Sequence, residues 1–169
     1  MHLTKKNLTY AFLSCLLLTI LMPVVTPSVR LMYFAPFLIL LFYQKSLSYC
    51  LWISFFCGFI IDLLSVQPPF GFYACNYTLA TAIIYNQKRN FFADHLSTLP
   101  IMTFLYSCIA TLLEVIFINV FGMRISLGLH WIFSDLLVMP ACDALFAFVW
   151  FILMPMSLKK KSNRRTTNN

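Results

Sequence analysis

From residue 8 to residue 25 the chain carries no charged side chain, and the stretches 47–61 and 63–87 are equally uncharged. Such runs match the demand of a bilayer, which takes roughly 20 mainly apolar residues rising about 1.5 Å each to cross about 30 Å of hydrocarbon. Six stretches meet or approach that demand: 8–25, 28–43, 47–66, 70–85, 99–121 and 129–156. The second is the weakest, being short and holding Arg30 and Pro36, while the sixth is long enough to tilt and should kink at Pro140. With 61% hydrophobic and only 10% charged residues, the chain lacks the polar surface of a soluble domain. The expected fold class is therefore all-α: a polytopic integral membrane protein of about six transmembrane helices. Residues 1–169 should form one transmembrane domain, with 159–169 as a short basic cytoplasmic tail. The first run is too long for the core of a cleaved signal and leads into Thr26-Pro27, so it should remain as a span.

Charge orients the bundle. With six spans and the amino terminus inside, the cytoplasmic side collects Lys5, Lys6, Lys45, Lys88, Arg89, Lys159, Lys160, Lys161, Arg164 and Arg165, leaving only Arg30 and Arg124 outside. An odd number of spans would put either the first lysines or the tail on the wrong side, so both termini are expected in the cytoplasm. The net charge of +7 thus reads as membrane orientation, with contact to membrane lipid, and not as a nucleic-acid footprint.

Asp62, Glu114, Asp135 and Asp143 fall within the expected spans, where an unpaired charge near the centre costs roughly 2.5 to 3.5 kcal/mol or more. They should face protein or water. Arg30 and Arg124, on the same outer side as Asp62, Glu114 and Asp135, are the expected partners. One reading is a polar cluster that fixes helix packing; the other is a proton or solute path, for which only Asp143 lies deep enough. Cys50, Ser54, Gly58 and Asp62 recur every four residues and give the third span one face of small side chains ending in a carboxylate. Ala74, Thr78 and Ala82 repeat the spacing on the fourth, and Pro68, Pro69 and Gly71 between the two suit a tight helical hairpin.

Catalytic patterns are missing: there is no HExxH, no GxSxG and no glycine-rich phosphate loop. The six cysteines lie inside apolar runs without metal-ligand spacing and read as small buried side chains; His130, beside Trp131, reads as an interfacial residue. No enzyme activity, cofactor or metal is expected.

The stretch Gly58-Phe-Ile-Ile-Asp62-Leu-Leu-Ser65, followed by Pro69-Phe-Gly71-Phe-Tyr-Ala74, resembles the central hairpin of the MreD family of bacterial rod shape-determining proteins. There an apolar helix ends in Gly-x-x-x-Asp-Leu-Leu, and a short turn opens the next span. Here Val66-Gln67-Pro68 stands where the family's turn is glycine-rich. The resemblance implies a non-enzymatic subunit of the bacterial cytoplasmic (inner) membrane, acting in cell shape and lateral peptidoglycan synthesis as a scaffold. Its implied partners are an MreC-like single-span protein, an MreB-like cytoskeleton and peptidoglycan synthases. It also implies a fold similar to the substrate-binding subunits of energy-coupling-factor vitamin transporters. That similarity supplies the alternative, a vitamin-binding subunit with Asn76, Asn119 and the outer acidic residues lining its pocket.

Overall fold

A computed structural model of the chain describes residues 5–25, 31–65, 69–89, 98–122 and 133–149. Among those residues the only regular structure is helix. The helices are α1 (Lys5–Val25), α2 (Ala35–Gln44), α3 (Leu47–Leu64), α4 (Phe72–Tyr85), α5 (Thr98–Val120) and α6 (Met139–Phe148). A 3₁₀ turn, Asn86–Arg89, extends α4, and a π-helical turn, Ser134–Val138, runs into α6. Among the described residues two helices, α3 and α5, are long and apolar enough to cross a membrane.

The second stretch departs from the sequence expectation. Within 31–43, the described part of that stretch, the chain is helical only from the start of α2, which runs over Ala35–Gln44, ten residues or about 15 Å at the α-helical rise. Pro36 sits in its first turn, where a missing N–H leaves no bond unmade. Seven of those ten residues are buried, on every side of the helix. Helix α2 touches α1, α3, α5 and α6. Phe12 of α1 approaches Phe37 at 5.4 Å between ring centroids, and Phe42 lies 5.9 Å from Tyr85 and 6.3 Å from Tyr106. Helix α2 is the axis of the core.

Its last carbonyls are met by side chains from other helices. The Cys50 thiol donates to the carbonyls of Leu41 (3.7 Å) and Lys45 (3.9 Å), and the Tyr85 hydroxyl donates to Lys45 at 3.0 Å. The contacts to Lys45 answer an open carbonyl of the kind every helix end presents, while the Leu41 carbonyl also accepts the Lys45 amide at 3.0 Å.

The expected kink at Pro140 takes the form of the π-helical turn just before it. Proline's ring crowds the carbonyl four residues earlier and offers it no N–H, so a wider turn relieves the clash. That carbonyl belongs to Leu136, and the Cys108 thiol of α5 donates to it at 3.5 Å.

Large apolar side chains cover the outside: Tyr10, Trp52, Leu63, Phe133 and Val120 are all 64% exposed or more. On α3, Trp52, Phe55, Phe56 and Phe59 form a continuous aromatic rib that reaches Phe70, with centroids 5.3 to 6.5 Å apart. An exposed surface this apolar is unusual for a protein dissolved in water.

Candidate functional site

Helices α3 and α4 share the most extensive contact in the structure. The reason lies at Gly58. A Cβ built there would stand 2.6 Å from Ala74 Cα and 2.7 Å from the Tyr73 carbonyl carbon, and would also meet the Tyr73 oxygen. Only hydrogen fits between the two backbones. One turn further along the same face, the Asp62 carboxylate accepts the backbone amides of Tyr73 on Oδ1 and Ala74 on Oδ2, each at 2.9 Å.

Those amides belong to the open first turn of α4, whose residue before the helix is Gly71 at φ 90°. Gly71 supplies the left-handed turn but has no side chain to cap the helix. Asp62 caps it from the neighbouring helix, and its negative charge sits at the positive end of the α4 dipole. Gly58, Asp62 and Gly71 therefore act at one point: close approach, cap and turn. The expected partners Arg30 and Arg124 lie outside the described residues, as do His130 and Trp131.

The rest of the small face meets α4 and its neighbours unevenly. Ser54 is buried and donates to the carbonyls of Tyr77 and Leu51, both at 3.3 Å. The Tyr106 hydroxyl of α5 reaches the same Tyr77 carbonyl at 3.2 Å. Cys50 serves α2, as described above. Ala74 is buried against α3, whereas Thr78 and Ala82 are half-buried; the α4 residues sunk in the core are Phe72, Ala74, Asn76, Tyr77, Ala80, Thr81 and Ile84. The Thr78 hydroxyl turns back to the Ala74 carbonyl at 2.7 Å. Its other side borders an outward-facing groove of about 490 Å³, lined also by Ser48, Leu51, Trp52 and Phe55.

The three other acidic residues of the expected spans occupy different settings. Asp143 of α6 is buried: Oδ1 accepts the Met32 amide at 2.8 Å, and Oδ2 accepts the hydroxyl of Ser107 from α5. Glu114 is buried on α5, and Asp135, half-buried in the π-helical turn, accepts the Ser134 hydroxyl at 2.8 Å. Asp62 and Asp143 thus do the same kind of work, each holding main-chain N–H groups of a different segment.

Ser107 and Tyr106 lie outside the residues expected to matter, although the sequence carries a signal for Ser107. Thr103, Ser107 and Thr111 recur every four residues along α5, with Glu114 on the same face, and all four are buried. Thr103 and Thr111 turn their hydroxyls back to Leu99 (2.7 Å) and Ser107 (2.8 Å). Asn76 spans to α5 by donating to the Ala110 carbonyl at 3.1 Å, while Asn119 is exposed near the end of that helix.

The cysteines divide. Cys15, Cys50 and Cys57 are buried as expected, but Cys75 is exposed and Cys108 and Cys142 are half-buried; all six are free thiols. Among the described residues no group of His, Cys, Asp and Glu is gathered as metal ligands. No family model, curated protein or solved structure matches the chain.

Proposed function

We propose that this protein is a multi-pass subunit of a bacterial cytoplasmic membrane that works by assembling other proteins, in the manner of the MreD family. The observation that carries the reading is the α3–α4 junction. The three residues on which the resemblance rests, Gly58, Asp62 and Gly71, meet there in a single interlocking unit. A shared motif whose members cooperate physically is a stronger sign of kinship than the same letters scattered over a fold.

The membrane setting is supported by the exposed apolar side chains and by the two helices of spanning length. The outward aromatic rib and groove of α3 offer the surface on which a partner's transmembrane helix would lie. By the family likeness, that partner is an MreC-like single-span protein, with peptidoglycan synthases and an MreB-like filament in the same assembly. One observation favours the transporter-subunit alternative. The buried side-chain oxygen of Asn76 has no hydrogen-bond partner, as a polar-solute site would require, although Asn76 is wholly buried and does not line the outward groove.

Depletion separates the two. In a cell that elongates by directed wall insertion, loss of the protein should give rounding or misplaced wall growth with no vitamin requirement. Normal shape, with growth restored by one added vitamin, would reject the scaffold and favour transport. A second expectation concerns orientation: cytoplasm-dependent reporters fused to either end should both be active, because ten of the twelve basic residues lie on that side only with an even number of spans. An external carboxy terminus would mean an odd number of crossings.

A further inference from the structure

In the bilayer setting proposed above, the short length of α2 acquires a meaning of its own. Gln44, its last residue, lies three residues before α3 begins at Leu47, on the side from which α3 starts. Ten residues of helix carry the chain only about 15 Å from there, half the hydrocarbon thickness. The depth of its other end can be checked independently. Asp143 links the Met32 amide, three residues before α2, to Ser107. Ser107 stands nine residues beyond Thr98 and thirteen before Val120, about 14 Å and 20 Å along the axis of α5. The first measure puts the start of α2 at Ala35 near the middle of the bilayer, and the second puts Met32, tied through Asp143 to Ser107, at a similar depth.

Backbone that is not helical cannot face lipid at that depth, because its amides and carbonyls have no water to bond. Residues 31–34 are not helical, and three of their main-chain polar groups are met from within. The Met32 carbonyl accepts the Ala35 amide at 2.9 Å, the Phe34 carbonyl accepts the Leu38 amide at 3.0 Å, and the Met32 amide goes to Asp143. Phe34, the residue before the helix, has no side-chain oxygen to cap it. Broken helices of this kind persist inside membranes only where other parts of the protein satisfy the break.

We infer that α2 is a half-span ending near the bilayer midplane, and that Asp143, braced by Ser107, is the pin that holds its deep end by binding the Met32 amide. Asp143 is a positioning residue. Its carboxylate ties together three segments distant in sequence: α5, α6 and the approach to α2. This inference depends on the chain lying in a membrane, and not on which partners it assembles.

The test uses the full-length protein in right-side-out and inverted membrane vesicles, with a cysteine introduced at Met32 and a membrane-impermeant maleimide as probe. Peptide mass spectrometry locates the label, so the native thiols can stay. Recovery in the membrane fraction checks the setting on which the inference depends. A full-length second span over 28–43 would put residue 32 about one helical turn, or ~6 Å, below the outer face, within reach of the probe from that side. A half-span protects it from both sides.

We expect M32C to remain unlabelled in either vesicle type. Adding Asp143→Ala should speed labelling about tenfold or more, the consequence of losing a hydrogen bond to a charged acceptor. Adding Asp143→Asn should leave M32C protected, because the amide oxygen still accepts from residue 32 and the amide nitrogen can donate to Ser107. If Asp143→Ala does not accumulate, Ser107→Ala takes its place and should loosen protection to a smaller but measurable degree. Labelling of M32C from the outer face without any other change would overturn the half-span. Undiminished protection in Asp143→Ala, or in Ser107→Ala where that is the variant obtained, would overturn the pin, as would equal labelling in Asp143→Asn and Asp143→Ala.

Discussion

Replacing Gly58 with alanine should force α3 and α4 apart and lower stability in detergent, although the same change in most helices is favourable. An ordinary helical glycine gains roughly 0.5 to 1 kcal/mol on becoming alanine, through reduced backbone entropy. Here the new methyl would lie 2.6 Å from Ala74 Cα, and the atoms in its way are backbone, which cannot rotate aside. Over-packing in a well-filled interior costs about 1 to 3 kcal/mol, and a rigid obstacle places this case at or beyond the upper end. Gly58→Leu should prevent the hairpin from closing.

A thermal or denaturant unfolding series on purified protein measures the alanine effect, and membrane abundance measures the leucine effect. An unchanged or higher melting temperature for Gly58→Ala would show that the two helices are not held at this distance. Gly71→Ala provides a contrast within the same motif. Nothing lies within 4 Å of a Cβ at Gly71, so any loss there comes from its φ of 90° and should be closer to 1 kcal/mol.

The second large effect is expected at Asp62. Asp62→Leu removes the acceptor for two amides at once, one buried and one part-buried, leaving Ala74 and Tyr73 unsatisfied at the start of α4. In an apolar setting each such group costs on the order of several kcal/mol, so the variant should fail to accumulate or should unfold at much lower temperature. Asp62→Asn keeps one acceptor oxygen but turns an NH₂ group toward the other amide, so it should fall between the parent and the leucine variant. Pulse-chase abundance together with unfolding of whatever can be purified would establish the order. Complete and equal loss of function in both variants at normal protein levels would point to a need for the charge itself, beyond its capping of α4.

Much of the α3–α4 junction was legible in the sequence because its ingredients are local. The four-residue recurrence of Cys50, Ser54, Gly58 and Asp62 reports one helix face directly, and a Pro and Gly turn between two apolar runs reports a reversal. What Asp62 binds was not legible. Opposite charge marks Arg30 and Arg124, which lie outside the described residues, whereas the partners seen among the described residues are main-chain amides, which every residue except proline possesses and no residue letter marks. The fourth span's regular spacing also overstated its small face. Ala74 is buried, but Thr78 and Ala82 are only half-buried, and the larger Tyr77 lies in the core between them. Its buried side faces α5 as well as α3, so a single stripe could not describe it.

By itself the sequence determined that the regular structure of the described chain is helical, where most of its helices begin and end, and that a turn with Pro69 and Gly71 opens α4. These follow from hydropathy, backbone preference and spacing, which act between near neighbours. Tertiary structure alone decided that α2 is ten residues long, that Asp143 holds Met32 across 111 positions, and that Cys108 answers the carbonyl freed by Pro140. The physical reason is common to all three. Hydropathy records that a segment avoids water but cannot tell lipid from protein as its surroundings, and a helix enclosed by other helices need not span the bilayer. An interrupted backbone then depends on hydrogen bonds from side chains that only the folded bundle brings within reach.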